Sequence, residues 1–166
     1  METFYEPNEI LQFWFPNEQY QKWWFIGNIQ LDQEITSKYY WQMVHLFDNF
    51  AIGDYSNAPV NKIISHIILL DQFSRNISRV KNEIINQIPD YTKKAEVLAQ
   101  IWLESKYYLT EPIAHTVFAL MPIRHSKDKI SIGKLIPVLE EIKNINKNDS
   151  NPIFIKFYTH TLRALQ

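Results

Sequence analysis

Cysteine is absent from the 166 residues, which excludes disulfides and thiolate metal sites while leaving the compartment open. Glycine occurs three times and proline eight times, so the punctuation that a turn-rich chain needs is scarce. Apolar runs are only a few residues long, far short of the roughly 20 that a membrane-spanning helix requires. Charge of one sign is missing too: 17 Lys and Arg stand against 18 Asp and Glu, a formal net charge of -1, with no block of like charge. This argues against nucleic acid or an anionic membrane as the main partner. The opening stretch METFYEPNEI is acidic and has no basic n-region, so it is not read as a signal peptide. An intracellular, cytoplasmic protein is the expectation.

What the chain does have is apolar mass. Hydrophobic residues make up 46% and aromatics 14%, a globular composition at a length best read as one helical domain over 1–166. Pro7 opens a short helix holding Ile10, Leu11, Trp14 and Phe15, which Pro16 ends. Ile35, Tyr39, Met43, Leu46 and Phe50 recur at three- and four-residue steps, predicting a helix from about Asp32 to Ala51, stopped by Gly53. Asn57 is read as the cap of a helix from Ala58 to about Ser74. Asp90 caps another, with Ala95, Leu98, Ala99 and Trp102 as its inner stripe. Pro112 opens a fifth helix that should stop before Pro122. Ser126 caps a sixth, which Pro137 should kink or split. Lys143–Ser150 reads as a polar loop, and Asn151–Pro152 starts the last helix. No stretch alternates with the period of two that a half-buried strand needs. The fold class is all-α, about seven helices in antiparallel pairs with short loops.

Two polar knots interrupt this pattern. In SHIILLDQFSRNISR, Asp71 follows four aliphatic residues, and Gln72, Arg75, Asn76 and Arg79 share a helical face. Spacing alone fits an ordinary helix C-terminus, where Asp71 pairs with Arg75 and the two arginines favour the negative end. The apolar flank points further, because a carboxylate placed there is half-buried and must be paired or used. In ALMPIRHS, Arg124, His125 and Ser126 sit at a corner between helices, either a plain capped corner or an anion site. His45 and His66 read as packed residues, His115 forms a weak pair with Glu111, and His160 and Arg163 share a face of the last helix. FWF at 13–15 and WWF at 23–25 suit the end of a core better than a stacking platform, given no basic surround. No metal-binding spacing, phosphate loop or nucleophile elbow is present, so neither metal nor cofactor is expected.

ILQFWFP, WWFIG followed by LDQEI, IILLDQFSRNISR, YTKKAEVLA and MPIRHSK occur in the order and rough spacing of the domain of unknown function 924 family. The chain resembles that family over almost its whole length, most specifically in LLDQFSRN and MPIRHS. The resemblance implies a tetratricopeptide-like superhelical fold and matches Asp71, Gln72, Arg75, Asn76, His125 and Ser126 to shared polar positions. It implies no activity. Ser74 stands where the family usually has proline, and Lys127 where it has glutamate. Family members continue beyond the last helix into a segment resembling Phe-Gly-Arg-Phe-Pro-His-Arg-Asn. FYTHTLRALQ ends at Gln166 without one, so a shortened site lacking that second basic cluster is expected.

Together these readings place the two knots in one net-positive cavity. There Asp71 orients Arg75, and Gln72, Arg75, Asn76, Arg79, Arg124, Ser126 and His160 hold a small anionic molecule. His125 is the acid/base candidate for hydrolysis or group transfer, since an imidazole titrates near neutral pH. The alternative is a tetratricopeptide-like scaffold for a protein or peptide, in which Asp71 and Arg75 only lock two helices together. Oligomeric state is not encoded in any of these features.

Overall fold

A computed structural model describes residues 6–146 and 151–166. The readings of residues 1–5 as free of a signal peptide, and of 147–150 as loop, lie outside the described residues. The helices are α1 (Pro7–Trp14), α2 (Ile29–Asp48), α3 (Val60–Ile67), α4 (Ser74–Ser78), α5 (Ile88–Glu104), α6 (Ile113–His125), α7 (Lys129–Gly133), α8 (Leu135–Asn146) and α9 (Pro152–Ala164). A π-helical turn, Ile68–Phe73, joins α3 to α4 without a break, and α7 meets α8 at Lys134. Seven helical rods result, with no strand among the described residues. The protein is all-α. None of these helices is long and apolar enough to cross a membrane.

The core explains which rods sit inside. Every residue of α6 from Ala114 to Ile123 is buried, as expected of a helix that is apolar on all sides. It packs along α5 and α9, while α1 packs on α3, and α2 on α4 and the π turn. Trp14, Tyr39, Phe73, Tyr91, Trp102, Phe118, Phe154 and Phe157 fill the space between them.

Several element ends differ from expectation, each for a local reason. α2 begins at Ile29, because Asn28 accepts the N–H groups of Gln30 and Leu31, and it ends at Asp48 before reaching Gly53. Asn57 caps nothing: Pro59 precedes α3, and the rod runs on to Ser78. Asp90 lies in the first turn of α5 behind Pro89 and is not its cap. Pro122 does not end α6, whose last turn continues to His125; an interior proline costs about 3 kcal/mol, and the all-round burial of this helix outweighs it. Asp128, not Ser126, caps α7. Pro137 breaks its rod as anticipated, since it cannot donate to Gly133, and the chain splits between α7 and α8 there. α8 extends to Asn146, so helix replaces the first half of the expected polar loop.

Asn28 fixes where α2 starts, and hence the height of Asp32 one turn later. Asn28→Ala should lower stability by about 1 kcal/mol, measured by urea unfolding, whereas Asn28→Asp should retain it.

Candidate functional site

The π turn sets the geometry. Its wider hydrogen-bonding pattern places an extra residue in the turn, so Ile68, Leu69, Leu70, Asp71 and Phe73 are all fully buried, whereas a regular helix would present only one side. Ser74 supports the turn by donating its hydroxyl to the carbonyl of Leu70 at 2.6 Å and of Asp71 at 3.1 Å. Asp71 thereby enters the interior with no solvent exposure.

The carboxylate meets the far knot there. His125, on the last turn of α6, lies with Nδ1 3.0 Å from Oδ1 and 3.1 Å from Oδ2 of Asp71. Gln72 donates its amide to Oδ2 at 3.1 Å, and the Arg75 guanidinium stands 3.5 Å from Oδ1. Burial pushes the Asp71 carboxyl up, but the charge and hydrogen bond of His125, the Arg75 charge and the Gln72 amide outweigh it and hold the carboxyl below its ordinary value. An ionised carboxylate only accepts, so Nδ1 of His125 must carry the proton of this bond, which leaves Nε2 as the ring's other polar atom.

Asp71 was expected to orient Arg75; its shorter contacts are with His125 and Gln72. Arg75 is half-buried, and the same Nη2 that stands 3.5 Å from Asp71 also donates to Thr92 on α5 at 2.9 Å. Asn76 and Arg79 share a second buried carboxylate, Asp32 on α2. Asn76 donates at 2.9 Å, and Arg79 donates from Nε at 2.8 Å and Nη2 at 2.9 Å. Arg124 has no ion pair of hydrogen-bonding length among the described residues. Its Nη2 rests 3.3 Å from the Met121 sulfur, and its guanidinium lies 4.9 Å from the centre of the Phe157 ring. Burial lowers the Arg124 pKa from the ordinary arginine value, and the Asp71 charge partly restores it.

Six of the anticipated side chains line one cavity of about 270 Å³: Gln72, Arg75, Asn76, Arg79, Arg124 and His125. Asp71 is not on its wall but stands behind His125. Ser126 is turned away, donating to the Ile123 carbonyl at 2.6 Å. With Lys127, it lines a second cavity of about 310 Å³ that shares only Arg75 and His125 with the first. The positive charge of the first cavity therefore comes from its guanidiniums and not from Lys127. His160 lies exposed on α9, outside both cavities, its pKa lowered by partial burial and by the charges of Arg124, Lys156 and Arg163.

Trp14, Trp23, Trp24, Phe25, Ile26 and Gly27 complete the first cavity. Sequence reasoning assigned these rings to the core, which is half of their role. Asp32 and Thr92 were missed as partners, although both extend the inner stripes of their helices. His66 and His115 are engaged by neighbouring side chains elsewhere in the fold. His115 stacks on Phe15 at 4.2 Å and pairs with Glu18 at 2.9 Å, not Glu111, and His66 lies 2.6 Å from the Tyr55 hydroxyl.

Fold and site together describe an all-helical protein with a polar cavity where α1, the π turn, α4 and α6 converge. The chain belongs to the family described as Bacterial protein of unknown function (DUF924), which it matches over residues 10–165. No curated protein and no solved structure matches it.

The lowered Asp71 pKa links the site to stability. A carboxyl whose folded pKa lies below its ordinary 3.8 stabilises the fold fully above that value, and the contribution is lost as pH falls through the folded pKa. Asp71→Asn should therefore cost about 1–3 kcal/mol at pH 7. It should also flatten the acid limb of stability against pH, followed by urea unfolding from pH 6 downward.

Proposed function

We propose that the first cavity binds a small anionic molecule and that His125, backed by Asp71, acts on it as a general base in hydrolysis or group transfer. The observation that carries this reading is the meeting of the two knots at 3.0 Å, through a histidine that lines a cavity also lined by a cation without a carboxylate partner. Three guanidiniums, from Arg75, Arg79 and Arg124, face two buried carboxylates, Asp71 and Asp32. Arg124 is the member without a close carboxylate, so an incoming anion balances the charge.

The chemistry follows from the tautomer. With Nδ1–H held by Asp71, Nε2 takes the proton of an attacking hydroxyl as its oxygen bonds to the ligand's electrophilic centre. It then returns the proton to the leaving oxygen. Arg75 and Arg124 line the same cavity as the imidazole, and their charges oppose the negative charge that develops there. Asp71 acts through His125 and is a positioning residue; Gln72 and Asn76 offer amides to the ligand. A tetratricopeptide-like superhelix serving as a peptide scaffold would keep the two motifs in separate corners, and their contact favours the small-molecule site. A cytoplasmic location is part of this proposal.

Arg124→Met keeps an unbranched apolar stem and removes the charge. The variant should melt at or above the parent temperature, because a half-buried cation without a carboxylate partner is costly. It should also lose the thermal stabilisation that acetate, sulfate or phosphate gives the parent at low ionic strength; a ligand at ~100 times its Kd adds roughly 2.7 kcal/mol. His125→Asn should retain that stabilisation while losing at least about a hundredfold in turnover of any aryl ester or phosphate the parent cleaves. A parent indifferent to all three anions would defeat the reading.

A further inference from the structure

We infer that the anion taken by this cavity is planar and aromatic, a small aryl carboxylate or a group of like shape, stacked on Trp23. The inference rests on the small-anion reading and adds the class of its ligand.

The cavity has two unlike sides. One carries guanidinium and amide groups from the π turn, α4 and its end, and α6. The other is the 22–27 turn with Trp14, whose apolar surface is almost wholly aromatic. That aromatic side is fixed before any ligand arrives: the Trp24 indole N–H donates to the Trp14 carbonyl at 2.8 Å, and Trp24 meets Phe118 edge-on at 5.1 Å. A rigid wall of this kind loses little freedom on binding.

Within it, Trp23 is the ring with a face to offer. Trp14 and Trp24 are buried, and Phe25, itself half-buried, already has the near-parallel rings of Tyr20 at 29° and Phe118 at 18° beside it and Lys156 Nζ 4.4 Å from its centre. Trp23 is only half-buried. Its ring neighbours Phe13, Trp14 and Trp24 stand at 57°, 81° and 71° to it, so among the described residues no ring lies parallel to it. A planar π system can stack there, while its acidic substituent reaches toward Arg124 on the opposite side. The guanidiniums also favour flat electron-rich groups over saturated ones. An aliphatic anion satisfies the charge but forfeits the stack.

Isothermal titration calorimetry of the full chain at low ionic strength, with acetate, cyclohexanecarboxylate and benzoate, tests this. Benzoate matches cyclohexanecarboxylate in charge and carbon number but is flat, and should bind roughly three- to tenfold more tightly. Trp23→Leu should erase that preference and leave acetate binding in place, while Trp23→Phe should keep most of it. Equal affinity of the two six-membered acids for the parent protein, or a preference that survives Trp23→Leu, overturns the inference and leaves the anion site standing. Absence of binding heat with all three acids overturns the anion site itself.

Discussion

At the end of Ile67–Leu70 the chain carries a carboxylate into a region that solvent does not reach, and the surrounding helices are arranged around compensating it. An isolated buried carboxylate costs several kcal/mol, so Asp71 can remain ionised only if donors surround it. Gln72 supplies one from the same turn, and His125 supplies another from α6. The second contact fixes the last turn of α6 against the π turn. Arg75, left with a longer approach to Asp71, ties to Thr92 on α5, and Asn76 and Arg79 tie to Asp32 on α2. One buried charge thus leads to a polar chain that links four helical rods and holds them in register around a cavity.

Much of this was legible in the sequence, and what was not has a physical explanation. The helical periodicity located the rods, since burial of one stripe leaves a clear three- and four-residue spacing. The convergence of the two polar knots was also readable, because donors set among apolar residues have few places to face without loss. Their partners were less visible. Asp32 precedes Ile35, Tyr39 and Met43 on one stripe, and Thr92 precedes Ala95, Ala99 and Trp102 on another. A polar residue at the head of an apolar stripe is the signal that identifies both as buried partners. The π turn left no such trace, because periodicity assumes one helical pitch throughout. Under that assumption Asp71 pairs with Arg75 four residues on, as it does at 3.5 Å, but the closer contact with His125 at 3.0 Å was not foreseeable from that pitch. Pro122 misled for a related reason: local propensity argued for a helix end, and tertiary burial overrode it.

Stability accounts for some of the charges at the cavity but not for all of them. Asp32 and Arg79 make a compact ion pair, and Asp71 with His125 and Gln72 another satisfied cluster, so either could persist as scaffolding. Arg124 is different. It is held on a sulfur and an aromatic face, its charge destabilised by burial, in a position that an uncharged residue of similar length could fill at less cost. A fold selected for packing alone has no use for that cation. It becomes intelligible if the cavity works with a negative partner inside it, for then the cost borne in the free protein is recovered on binding, and recovered only by ligands of the right charge. On the proposed reading the cation without a carboxylate partner and the Asp71–His125 pair would have separate duties, the first in selecting the ligand and the second in fixing where a proton is taken.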